Sequence, residues 1–289
     1  MIDILITGKE SHVTMIDYHI HPNYSIDAEG DIEEFCEKAI RAELDEIAFT
    51  THLDTDGKDD CFVQVKGKRI DVQSSYWLED YEASVREANE KYADRGLKVL
   101  LGVEVDCYPG IEERLPEQFY STDFDIILGS VHLVDHIAIS DGKRAPKIMR
   151  NYSLDELSEV YYGVLLDSLG LNLFDIVAHL DLYVRYGEQY YGEQVNEIWK
   201  PYISRIAQKM KKYHIGFEVN TSSWRRERNE PMPSTQIIVS LLEEGVTNVT
   251  TGSDAHTPKD VGKGIERATQ LLQKVGFTAI SRYEKRQRV

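Results

Sequence analysis

Ile16-Asp17-Tyr18-His19-Ile20-His21 is a short apolar run of strand length that ends in two histidines one residue apart. Side chains alternate in direction along a strand, so His19 and His21 leave the same side and can approach one ion. The pair is a weak signal alone. Its weight comes from what recurs downstream. Similar apolar runs cover residues 46–50, 99–105, 126–131, 176–178, 215–219 and 248–251. They are rich in Val and Ile, and their apolar character is continuous rather than alternating, as in parallel strands buried on both faces.

Helical patterns lie between these runs. Ile32, Phe35, Cys36, Ala39 and Ile40 repeat at the spacing of one helix face, as do Ile237, Ile238, Leu241 and Leu242, and again Ile265, Ala268, Leu272 and Val275. Ser153 followed by Glu156 predicts a capping box opening a helix through Leu169. Residues 73–95 and 191–214 also read as helices. Residues 55–75 are polar and read as a long loop over one end of the fold. Seven strand-then-helix units predict an α/β barrel, with a doubly wound open sheet as the alternative. No Gly-rich dinucleotide fingerprint follows the first strand and there is no P-loop, which weakens the alternative. Residues 1–14 read as an N-terminal extension and 15–289 as one barrel domain.

Composition narrows the function. The chain has 289 residues and a formal charge of −17, from 33 Lys and Arg against 50 Asp and Glu. Such a surface repels phosphate backbones, so no nucleic-acid partner is expected. No apolar stretch approaches the roughly 18 residues of a membrane span, so no membrane partner is expected either. Cys36, Cys61 and Cys107 are sparse, odd in number and form no CxxC, which fits a reducing cytosol and a cytoplasmic location. The sequence leaves the oligomeric state unknown.

The chemistry gathers at the strand ends. Of nine histidines, six fall there. His19 and His21 end the first run and His52 follows the second. Glu104 ends the third. His132 follows the fourth and His179 the fifth, while Asp254 and His256 follow the seventh. In a parallel barrel these ends converge on one face, where active sites are built. Imidazole and carboxylate together suit zinc, iron or manganese. His12, His136 and His214 fall outside the pattern and read as ordinary histidines.

Taken in order, His19-Ile20-His21, Thr50-Thr51-His52, Glu104, Ser130-Val131-His132, Ala178-His179-Leu180-Asp181 and Gly252-Ser253-Asp254-Ala255-His256 resemble the polymerase and histidinol phosphatase (PHP) superfamily. The resemblance runs from Met15 to about Phe277. It implies a single distorted (β/α)7 barrel with its metal site at the C-terminal ends of the strands and two or three divalent ions (Zn, Mn or Fe). By the resemblance His19, His21, Glu104 and Asp254 hold a first ion. Glu104, His132 and His179 hold a second, and His52 with His256 a third. Many members carry a further histidine where this chain has Asp27, so Asp27 becomes the candidate oxygen ligand of the third ion.

Within the superfamily the chain is similar to stand-alone histidinol-phosphate phosphatases. The carrying stretch is Glu218-Val219-Asn220-Thr221-Ser222-Ser223-Trp224-Arg225, which departs from their pattern at Ser223 and Trp224. The chain also lacks a Cys and a His common in their first loop. The likeness implies Arg185 and Arg225 as phosphate-binding residues, a role for which a planar guanidinium is suited. Arg226 and Arg228 are weaker candidates. The expected activity is metal-dependent hydrolysis of a small anionic phosphate ester, L-histidinol phosphate, in histidine biosynthesis. Glu104, Asp254 and His256 are the expected catalytic groups. The alternatives are another small phosphate ester (a nucleotide, sugar phosphate or phosphotyrosine) or an amidohydrolase-type reaction at a C–N bond. The latter class usually adds a bridging lysine, which no predicted strand end supplies.

Overall fold

The run that carries the histidine pair forms strand β1 (Ile16–Ile20) in a computed structural model that describes residues 4–5, 14–56 and 61–289. Six parallel strands follow: β2 (Glu46–Leu53), β3 (Lys98–Asp106), β4 (Ile126–Ser130), β5 (Ile176–Val177), β6 (Gly216–Asn220) and β7 (Val249–Gly252). They lie side by side in chain order. The two edges then meet. Ile20 bridges Ala255 in parallel, His21 N–H donates to Ala255 O at 2.8 Å, and Thr251 Oγ1 donates to Ile16 O at 2.7 Å. The result is a nearly closed seven-stranded barrel, as expected.

The continuous apolar runs have the predicted consequence. In β3 every residue from Val99 to Asp106 is buried, with side chains packed inward and outward alike. Helices cover the outer face. Helix α1 (Ile32–Arg41) buries Ile32, Phe35, Cys36 and Ala39, and the Phe35 ring meets Phe49 of β2 edge to face at 6.0 Å. Helix α2 (Ser75–Ala93) lies against β3 and buries Trp77, Tyr81 and Tyr92. After the short α3 (Ala145–Asn151), helix α4 (Leu154–Ser168) opens with the predicted capping box: Glu156 N–H donates to Ser153 Oγ at 3.3 Å and Ser153 N–H returns to Glu156 Oε2 at 2.8 Å. No helix among the described residues is long and apolar enough to cross a membrane.

Three expectations need correction. The helix predicted over 191–214 is divided. Helix α5 (Val184–Tyr191) ends at Gly192, whose φ of +63° suits glycine, a short 3₁₀ segment spans Gly192–Glu197, and α6 (Ile203–Tyr213) begins after Pro201, which lacks an amide donor. The loop predicted over 55–75 contains a hairpin, Phe62–Val65 paired antiparallel with Lys68–Asp71. Its two-residue turn, Lys66-Gly67, has positive φ at both positions, the twist that matches a hairpin. Finally, β2 runs on to Leu53, so His52 lies within the strand rather than after it.

The N-terminal extension lies largely outside the described residues, as does His12. Within it, Ile4–Leu5 pairs antiparallel with Ala279–Ile280.

Candidate metal centre

The barrel brings the expected residues to one mouth. Nine-tenths or more of His19, His21, Glu104, His132, His179 and Asp254 is buried there. Glu104 stands at the centre. Its Oε2 lies 3.3 Å from His19 Nε2, 3.5 Å from His21 Nε2 and 3.0 Å from His52 Nδ1. Its Oε1 lies 2.9 Å from His179 Nε2 and 3.3 Å from His132 Nε2. Asp254 Oδ1 is 3.6 Å from His21 Nε2 and 3.4 Å from His256 Nδ1.

Potential ligand atoms fall into overlapping groups within 4.8 Å of one another: His19, His21 and Glu104; Glu104, His132 and His179; His21, His52 and His256; and His52, Asp54 and His132. His21 therefore stands with the His52 and His256 pair as well as with His19. The rings of His52 and His256 each stack on His21 at 4.2 Å. Asp27 reaches this group from a loop, its Oδ2 3.3 Å from His256 Nε2 and 3.8 Å from His52 Nε2, with 57 % of its side chain exposed.

These groups fit divalent cations. His19 Nε2, His21 Nε2, His52 Nδ1 and Glu104 Oε2 are buried without a hydrogen bond, an arrangement that is costly unless a cation takes their lone pairs. The electrostatics agree. Burial lowers the pKa of His21, and His256, His52 and His19 lower it further, to well below the ordinary histidine value. Burial works against ionising Glu104, but His19 and His132 hold it well below the usual carboxylate range. Asp254 is held low in the same way, against burial, by His19, His256 and Arg185. Ionised carboxylates and imidazoles, once the rings give up their protons, are the donor set of zinc, iron or manganese. His19, His52 and His132 differ. Against the burial of all three rings, Glu218 and Glu104 hold His19 well above the ordinary value, Asp27 and Glu104 hold His52 up at about 10, and Glu104 and Asp106 hold His132 well above it, so a proton and a metal ion compete for each ring.

Residues to which the sequence assigned no role hold these candidate ligands in place. Glu218, from β6, accepts from His19 Nδ1 at 2.7 Å through Oε1, and from His179 N–H at 3.1 Å through Oε2. That commits His19 Nδ1 as the N–H and turns the Nε2 lone pair inward. Asp106 Oδ1 stands 2.9 Å from His132 Nδ1 and can do the same for that ring. Asp17 lies wholly buried in β1 and accepts Ser253 N–H at 2.7 Å and Gly262 N–H at 2.9 Å, which ties the loop bearing Asp254 and His256 to the first strand. The available signal was a carboxylate inside an apolar strand, at Asp17 and Glu218. A buried charge there requires a partner.

Gly252 belongs to the same support. A β-carbon at this position would collide with the Glu218 carboxylate and lie 2.5 Å from His19 Cβ. The close approach explains the glycine. Glu218→Gln should keep the fold and lower metal affinity by roughly ten- to a hundredfold. Competition with a chromogenic chelator measures this, and unaltered affinity would remove Glu218 from the support.

Backbone geometry at the site is unusual. His179 and Asp254 have φ of +24° and +55°, a conformation L residues rarely adopt and one that clusters at functional sites.

The mouth opens into a cavity of about 670 Å³. Arg185, in the first turn of α5, points Nη2 to Ser222 Oγ at 3.3 Å and Asp254 Oδ2 at 3.4 Å, and its buried Nε carries no hydrogen bond. Arg225 closes the short helix α7 (Ser222–Arg225) and donates to Ser253 O at 2.5 Å and Asp254 O at 2.9 Å. Arg226 lines the cavity too, whereas Arg228 pairs with Glu188 at 2.8 Å. Phe62, from the hairpin, forms part of the cavity wall.

Comparison with known proteins adds the family. The model of the PHP domain matches residues 17–222. A protein of Clostridium acetobutylicum named "Probable histidinol-phosphatase" is 28 % identical over 278 residues, covering 94 % of this chain and 98 % of that one. One of Deinococcus radiodurans with the same name is 26 % identical over 270 residues, covering 92 % and 96 %. Among solved structures, histidinol phosphate phosphatase from Lactococcus lactis, complexed with zinc, L-histidinol and phosphate, superposes with a TM-score of 0.81 at 21 % identity, covering 96 % of this chain and all of that one. That likeness establishes the shared fold. With the match spanning most of the barrel, from the first strand to the start of α7, the chain belongs to the PHP domain family.

Proposed function

We propose that the protein is a metal-dependent phosphatase that hydrolyses L-histidinol phosphate to L-histidinol and phosphate. The observation that carries the reaction class is one cavity faced both by a buried imidazole–carboxylate cluster and by guanidinium groups, Arg185 and Arg225 among them. The substrate is supported by relatives of matching length that bear the histidinol-phosphatase name, and by the solved relative that holds L-histidinol and phosphate.

His19, His21, Glu104 and Asp254 would hold one divalent ion, Glu104, His132 and His179 a second, and His52, His256 and Asp27 a third. When bound, such ions neutralise charge on a phosphoryl group and lower the pKa of water. The protein's own groups do the remaining work. Arg185 and Arg225 clamp the phosphate from the β5–β6 side. Glu218 and Asp106 keep the lone pairs of His19 and His132 turned inward. Asp254 ties the two systems together, since its carboxylate meets His21, His256 and Arg185. His256, with 28 % of its side chain exposed at the cavity, keeps its Nδ1 3.4 Å from Asp254 Oδ1.

A side-by-side assay tests the substrate. Protein supplied with Mn, Zn or Fe should release phosphate from L-histidinol phosphate with a kcat/KM at least roughly a hundredfold above that for a mononucleotide, a sugar phosphate or phosphotyrosine, the scale expected when a site pairs with polar groups its competitors lack. A preference for one of the others would replace the substrate and leave the chemistry standing.

A further inference from the structure

Glu218 and Asn220 lie two apart on β6 and share a face, and Ser222 follows as the first residue of α7. All three are buried, Asn220 wholly so. The backbone holds Asn220 on both sides: its N–H donates to Met232 O at 2.7 Å, and its carbonyl accepts from Met232 N–H at 3.0 Å. Its side chain does not line the cavity. A buried amide in that position must spend its donor and acceptor on the protein.

Asn220 spends them on Glu218 and Ser222. Its Oδ1 accepts from Ser222 N–H at 3.0 Å and from Ser222 Oγ–H at 2.6 Å, and its Nδ2 donates to Glu218 Oε2 at 3.0 Å. The chemistry of the neighbours fixes this orientation. A backbone N–H can only donate, so the amide oxygen faces Ser222 and the nitrogen faces the carboxylate. From there the contacts reach both halves of the site. Glu218 continues to His19 Nδ1 and to the amide of His179. Ser222 Oγ lies 3.1 Å from Asp254 Oδ2 and receives Arg185 Nη2 at 3.3 Å. Ser222 has one hydroxyl proton and two acceptors within reach. The shorter contact keeps that proton on Asn220 and leaves the oxygen lone pairs to Arg185. Among the described residues, only Asn220 bonds to both Glu218 and Ser222.

We propose that Asn220 is a positioning residue that couples the two halves of the site, setting the His19 ring for its ion through Glu218 and holding Arg185 for the phosphate through Ser222. The inference rests on the phosphatase reading above. An aspartate of the same shape would keep an acceptor for Ser222 and set a second buried carboxylate against Glu218. An alanine would remove both contacts.

The experiment uses two readouts that need no turnover: metal affinity by chelator competition, and calorimetric binding of inorganic phosphate to protein at full metal content. Asn220→Ala should weaken metal binding and phosphate binding by roughly tenfold each, the scale of a lost hydrogen bond to a charged partner. Asn220→Asp should weaken metal binding by roughly ten- to a hundredfold and leave phosphate binding within about threefold of wild type. Parallel losses in the two variants, as a merely structural role would give, would overturn the proposal, as would unchanged metal or phosphate binding in Asn220→Ala. Should Asn220→Ala not fold, Asn220→Asp decides together with Ser222→Ala, which cuts the contact to Arg185 and should weaken phosphate binding by roughly tenfold; intact phosphate binding there would overturn the proposal. Failure of the phosphatase reading would show separately, as a metal-loaded wild type that binds phosphate and releases none from L-histidinol phosphate.

Discussion

Glu104→Gln is expected to lower phosphate release by on the order of a thousandfold, the scale set by removing a central electrostatic group from a preorganised site. Five histidines stand within 3.5 Å of this one carboxylate. Gln keeps the shape and removes the charge, so the barrel should fold while the two ion sites that share Glu104 weaken together. Elemental analysis should record the loss of metal, and turnover at saturating substrate should record the loss of rate. Turnover equal to wild type would show that Glu104 is not the shared ligand.

Arg185→Ala should reduce kcat/KM for L-histidinol phosphate by roughly a hundredfold, since a bidentate guanidinium–phosphate contact in a cavity is among the stronger polar interactions. Arg185→Lys should restore little, because an ammonium replaces the planar fork with a point charge. Arg225→Ala should cost at least as much for a second reason. Its two Nη atoms also hold the carbonyls of Ser253 and Asp254, so truncation loosens the loop that carries Asp254. Kinetics can separate the two roles. Loss confined to phosphate binding raises KM, and a displaced Asp254 lowers kcat with it. A variant of Arg185 with unchanged kcat/KM would remove it from the phosphate clamp.

Much of the fold was legible because the barrel strands are buried on both faces, which makes each a largely apolar run with a polar residue at or near its carboxyl end. His19, His52, Glu104, His132, His179 and Asp254 are those polar residues, and barrel geometry brings them together whatever their spacing in the chain. Residues whose role depends on register were harder to see. Glu218 reads as one charge within β6 until the barrel sets it against His19 and the amide of His179. Asp106 lies two residues after Glu104 and gains meaning only when β4 delivers His132 beside it. Other departures had visible signals. Gly192 and Pro201 both argue against a continuous helix over 191–214, and Lys66-Gly67 between alternating residues marks a hairpin turn.

The most direct test is a metal titration of the chelator-stripped protein, with phosphate release from L-histidinol phosphate as the readout. No release should occur without metal, and activity should rise with added Zn, Mn or Fe and level off at two to three ions per chain. Full release from the stripped protein, or none from protein shown to have taken up its metal, would contradict the account.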